Sequence, residues 1–123
     1  MCVTSNRPTI LVVEDEPIVR NLIVDVLTRQ GWLVFEADTA TEAQIVCSAL
    51  KDERIDLLIV ADELSPGSGR DLADRVLVGC PNAKVLRLSA MPALVFGSGF
   101  LQKPFTTGQL MNAVDSMLHP RTQ

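Results

Sequence analysis

The 123-residue sequence has no tyrosine, one tryptophan, one histidine and three cysteines, and each scarcity excludes something. His119 is the only histidine and lies near the C-terminal end, so no Ser-His-Asp set can form. Cys2, Cys47 and Cys80 are widely spaced and contain no CxxC pair, which argues against a disulfide framework and against a zinc site. Cys47 falls within an expected helix as a buried structural thiol, and unbridged thiols point to a reducing compartment, the cytoplasm. No apolar run approaches the roughly 18 residues of a membrane span, and residues 1–8 are too polar for a secretory signal. Lys and Arg number 11 against 15 Asp and Glu, so there is no basic face for nucleic acid. With four Phe and one Trp, the core must be aliphatic.

What the sequence does contain is alternation. The length fits one domain, residues 1–123 with a core over about 9–119. Thr9 to Val13 is a short β-branched run that reads as a strand buried on both faces. Pro17 suits the first turn of a helix, whose apolar Ile18, Leu22 and Val26 recur at helical spacing up to Gly31. Trp32 to Ala37 is a second strand. Thr39 with Glu42 is a capping-box pattern opening a helix to about Asp52. Ile55 to Ala61, Lys84 to Ser89 and Gly99 to Gln102 read as further strands, with a helix over Arg70 to Val78. Thr106 with Gln109 opens the last helix, which Pro120 ends.

Strands alternating with helices imply right-handed βαβ crossovers and a parallel sheet covered on both faces. Five strands at this length fit a flavodoxin-like α/β fold of order 2-1-3-4-5, in which ligands sit outside the carboxyl ends of the strands. Those ends carry Glu14-Asp15, Ala61-Asp62-Glu63, Ser89 and Lys103-Pro104. Hard oxygen donors of this kind suit Mg²⁺ and phosphate, and a lysine and a hydroxyl opposite would bind phosphoryl oxygens. Single polar residues on a rim are ordinary; four strand ends in succession are not.

The segments Ile-Leu-Val-Val-Glu-Asp-Glu-Pro (10–17), Asp-Leu-Leu-Ile-Val (56–60), Leu-Ser-Ala (88–90) and Phe-Leu-Gln-Lys-Pro-Phe (100–105) resemble the CheY-like receiver domain of two-component response regulators. The resemblance runs from about Thr9 to Leu118. It implies a signalling module rather than an enzyme, which takes a phosphoryl group from a histidine kinase or phosphotransfer protein and acts on a downstream protein partner. By the same resemblance Glu14 and Asp15 bind Mg²⁺ together with the backbone carbonyl of Glu63, Lys103 contacts the phosphoryl group, Ser89 is the switch hydroxyl, and Phe100 stands where the family often has a switch aromatic.

Two departures follow. The family's acceptor lies five residues after the Asp that opens the third strand and eight before a Gly. Asp56 and Gly69 therefore align Ala61 with the acceptor, and alanine cannot take a phosphoryl group. Pro66, four residues after Asp62, aligns Asp62 instead, but a one-residue shift on a regular strand turns the side chain to the other face unless a bulge intervenes. The expectation is a receiver with Ala61 in the acceptor place, natural or engineered, that binds Mg²⁺ weakly or not at all. The alternative is a phosphorylation-competent stand-alone receiver using Asp62. The second departure is the nine-residue connection 90–98, too short for a full helical crossover, so the fourth helix is expected to be missing or much reduced. That would leave the fifth strand and the last helix open to pairing with a second copy. A third reading, a small flavodoxin-like enzyme or nucleotide binder, lacks a Gly-rich phosphate loop after the first strand, where Glu-Asp-Glu-Pro stands.

Overall fold

The structure is a computed structural model that describes residues 8–50, 55–64, 67–90 and 99–119. Five strands, β1 (Thr9–Val13), β2 (Leu33–Ala37), β3 (Leu57–Ala61), β4 (Lys84–Ser89) and β5 (Phe100–Gln102), form one sheet. Four helices, α1 (Pro17–Arg29), α2 (Ala40–Ala49), α3 (Gly69–Gly79) and α4 (Thr107–Leu118), complete the described elements. Every strand pair is parallel, in the order β2-β1-β3-β4-β5. This is the expected α/β architecture.

The near-continuous apolar runs of β1 and β3 have the cause inferred from sequence: every residue of both strands is buried. Ile10 and Val12 pack with Ile23 and Leu27 of α1 and Leu110 and Val114 of α4. Leu11, Val13, Leu58 and Val60 point the other way, towards Ala43 of α2 and Leu72, Ala73 and Val76 of α3. The central strands thus need apolar residues at consecutive positions, not at alternate ones.

The helix ends follow local chemistry. Gly31, just past α1, takes φ +88°, a left-handed conformation that side chains resist. Thr106 and Gln109 form a complete capping box at α4. At α2 only half of the expected box forms. Thr39 Oγ1 accepts the Glu42 N–H at 3.0 Å, but the Glu42 carboxylate accepts the N–H of Asp38 at 2.8 Å, one residue further out.

Several boundaries differ from expectation: β5 begins at Phe100 and not Gly99, and α3 runs one residue further at each end. β2 begins at Leu33 and β3 at Leu57; just before β3, the Asp56 N–H donates to the Thr9 carbonyl and its carboxylate accepts the Thr9 N–H at 2.8 Å. α2 ends at Ala49, and the expected continuation to Asp52 reaches residues 51–54, outside the described residues. No helix is described between β4 and β5; residues 91–98 of that connection, on which the reduced-helix expectation falls, lie outside the described residues. Among the described residues no helix is long and apolar enough to cross a membrane.

Candidate functional site at the carboxyl rim of the sheet

β1 delivers Glu14 to the rim one residue past its last paired position. The Glu14 N–H donates to the Ala37 carbonyl at 3.1 Å, and its own carbonyl accepts from Arg20 Nη1 at 2.8 Å, while Arg20 Nε reaches Glu36 Oε1 at 3.2 Å. Held from both sides, Glu14 is 0% exposed. A buried carboxylate needs a counter-charge. Lys103 Nζ lies 2.8 Å from Glu14 Oε1 and 2.8 Å from Glu16 Oε1, and Glu14 Oε2 accepts the Glu16 N–H at 3.1 Å. Lys103 is placed by its own N–H, which donates to the Ser89 carbonyl at 2.8 Å and so carries the β4–β5 ladder one step beyond Gln102.

Ser89 is buried and its hydroxyl donates to Glu63 Oε2 at 3.1 Å. Asp15, Glu16, Glu63 and Lys103 border a cavity of about 670 Å³ whose apolar side includes Leu22 and Phe105. The rim therefore brings together Glu14, Asp15, Glu63, Ser89 and Lys103. Phe100, the expected switch aromatic, is half-buried on β5 beside Arg87.

Asp62 is placed differently. The β3–β4 register runs unbroken from Leu57 opposite Lys84 to Ala61 opposite Leu88, with no bulge. β3 stops at Ala61, but the Asp62 N–H still donates to the Leu88 carbonyl at 2.7 Å, so alternation carries one step further and puts Asp62 on the face of Val60 and Arg87. Its carboxylate takes two parallel hydrogen bonds from Arg87, Nε to Oδ1 and Nη2 to Oδ2, each 2.8 Å. With no bulge to turn it, Asp62 keeps the facing expected of a regular strand, opposite to that of Ala61, and the arginine fork holds it there on the side of Arg87. Ala61 itself is fully buried. With Val13 opposite Val60, Ala61 and Glu14 are the next residues along neighbouring strands. Gly69 packs against the Ala61 carbonyl so closely that an added Cβ would run into it.

The sequence reading missed Arg87, Glu16 and Arg20. Arg87 carried a usable signal: a charge inside the apolar run Val-Leu-Arg-Leu of a strand next to the centre of the sheet must find a partner. Glu16 and Arg20 carried none, since an acid and a base near a helix start are ordinary.

Burial pushes the Glu14 carboxyl above its usual range, against the opposing pull of Lys103 and the Glu16 N–H. Burial also pulls Lys103 down, but the hydrogen bonds and charges of Glu14 and Glu16 outweigh it and hold the ammonium above its ordinary value of 10.5. Arg87 is likewise held up by its bonds to Asp62. The linkage has a definite sign. A lysine raised on folding contributes stability that is complete below 10.5 and is lost as pH rises through the folded value. Denaturant melts from pH 8 to 11 are expected to show falling stability above about pH 10, and a Lys103→Met chain is expected to lack that component.

Among the described residues no three His, Cys, Asp or Glu side chains are grouped so as to hold a metal ion. The Glu14 and Glu16 carboxylates both answer Lys103, and Asp15 and Glu63 are the other acids on the cavity wall. Acidic oxygen donors of this kind are consistent with a divalent-cation site.

Comparison with known proteins agrees with this geometry. The family model described as "Response regulator receiver domain" matches residues 10–115. The chain is 25% identical over 118 residues to the probable transcriptional regulatory protein TcrX of Mycobacterium tuberculosis, covering 89% of this chain and 49% of that protein. It is 32% identical over 123 residues to the sensor kinase CckA of Brucella abortus, covering 93% of this chain and 13% of that protein. It therefore spans about half of the first relative and about an eighth of the second. A response regulator receiver protein from Sinorhizobium medicae superimposes with a TM-score of 0.80 at 28% identity, covering 97% of this chain and all of the other. The rim, the sheet order and these matches together make the chain a member of the response regulator receiver family, whose domains are signalling modules and not catalytic enzymes.

Proposed function

We propose that this chain is the receiver step of a histidine-to-aspartate phosphorelay, taking a phosphoryl group on Asp62 and passing the change on by protein contacts. The observation that carries the reading is the rim: in a chain matched as a receiver over residues 10–115, Glu14, Asp15, Ser89 and Lys103 stand at the strand ends, with Asp62 the aspartate next to the end of β3. The donor is a histidine kinase or phosphotransfer protein, a role supported by the likeness to a sensor kinase. A downstream protein, a cytoplasmic location, a single-domain organisation of residues 1–123, and pairing of two copies along β5 and α4 belong to the same proposal. Asp15 with the Glu63 carbonyl would hold Mg²⁺ weakly, and the ion would offset charge on the phosphoryl oxygens. Ser89 and Lys103 would bind those oxygens once free of Glu63 and Glu16.

Arg87 sets the condition. While both Asp62 oxygens are hydrogen-bonded to the guanidinium, the carboxylate is a poor nucleophile, and Lys103 is engaged by Glu14 and Glu16 instead. The Asp62 carboxylate must leave Arg87 and turn across the rim before in-line attack, which needs reacting atoms within about 3–3.5 Å. The chain is thus expected to label more slowly than ordinary receivers. Incubation with acetyl phosphate and Mg²⁺ should give an adduct of roughly 80 Da (one phosphoryl group) that is absent from Asp62→Asn. An adduct that persists in Asp62→Asn overturns the reading.

One observation favours a second reading, in which Ala61 occupies the acceptor place and the module binds partners without phosphate. Ala61, not Asp62, is the residue beside Glu14 at the rim and the one that Gly69 approaches. On that reading Ala61→Asp adds a ligand to the cavity and should tighten Mg²⁺ at least about tenfold by titration. On the Asp62 reading the substitution brings no such gain.

A further inference from the structure

Cys47 and Cys80 take no part in the rim. Cys47 lies on α2, and Cys80 caps the C-terminal end of α3, two helices in contact on one face of the sheet. Both thiols are unbridged and half-buried, and both pack on the same apolar cluster, which includes Ala43, Val76 and Ala83. Burial pushes the Cys47 thiol up, and the charge of Cys80 adds to that shift.

We propose that Cys47 and Cys80 are a modification site: a reversible disulfide across the α2–α3 seam, formed by exchange with a low-molecular-weight disulfide. One cysteine thiolate attacks a sulfur of the small disulfide and releases one small thiol. The second cysteine, on losing its proton, displaces the other small thiol from the mixed disulfide. Two S–H bonds are lost and one S–S bond forms in the protein, and the small disulfide, reduced by two electrons, leaves with both protons as two thiols. The loop so closed contains all of β3 and Asp62, so oxidation would tie together the two helices that precede and follow β3 and the candidate acceptor at its end.

The test uses the full chain with Cys2→Ser, which removes the third thiol, treated with glutathione disulfide. The expected product has lost two hydrogens, carries no glutathione, yields a Cys47–Cys80 linked peptide, and melts on the order of 10 °C higher until a reductant is added. The Cys47→Ser chain should instead stop at a stable glutathione adduct on Cys80. A doubly adducted chain, or one whose mass is unchanged, overturns the proposal.

Discussion

Truncating Lys103 to alanine is expected to cost about 3–5 kcal/mol of stability at pH 8, because it strands a buried carboxylate without its counter-charge. Glu14 is 0% exposed and its Oε1 lies 2.8 Å from the ammonium, while the Lys103 side chain is 15% exposed. The loss is the penalty of leaving one charge behind, not the net worth of the pair. Two comparisons separate these. The double variant Lys103→Met/Glu14→Gln should recover most of the loss, since neither charge then remains. The single variant should also regain stability as the pH falls. Glu14 is already raised by burial, so its folded form takes up a proton at a pH where the unfolded chain remains ionised, and protonation favours the fold. Denaturant unfolding at pH 8 and pH 5 checks both. Equal losses at the two pH values would mean that Glu14 is not the group left uncompensated.

The second large effect concerns Arg87. Replacing it with alanine is expected to raise the rate of acetyl-phosphate labelling at Asp62 about tenfold. Two charge-assisted bonds to one carboxylate sit at the strong end of the range for hydrogen bonds, about 1.5–3 kcal/mol each with a charged partner. The Arg87 side chain is 38% exposed, so water competes and the lower figure applies to the pair as a whole. A preference of about 1.4 kcal/mol for the clamped state is a tenfold reduction in the population of free carboxylate. Arg87→Lys should fall between, because an ammonium cannot reproduce the parallel fork. Quantified adduct against time measures all three chains, and an unchanged rate in Arg87→Ala would remove Arg87 from the account.

Much of this architecture was legible because it rests on periodicity and termini. The apolar runs at 9–13 and 57–61, Pro17 at the helix start and the Thr106–Gln109 box each specify their element locally, and the structure uses each in that way. Asp56 was legible only as a motif residue. Its hydrogen bonds to Thr9 depend on the pairing of β1 with β3, a contact that sequence spacing does not display. The acids, hydroxyl and lysine of the rim could be found because the parallel α/β order says where strand ends meet. Their pairing could not. That Lys103 answers Glu14 and Glu16 depends on side-chain directions beyond the last strand residue, and that Asp62 meets Arg87 depends on the β3–β4 register, which sequence spacing does not display.

The central claim is that Asp62 is the carboxylate that takes the phosphoryl group. The most direct measurement is peptide-level localisation of the adduct, after identical acetyl-phosphate treatment, in the unaltered, Arg87→Ala, Asp62→Asn and Ala61→Asp chains. The account predicts adduct on Asp62 in the unaltered chain, more of it in Arg87→Ala, none in Asp62→Asn, and no gain from Ala61→Asp. Adduct found only in Ala61→Asp, and carried on the new aspartate, would contradict it and make position 61 the vacated acceptor.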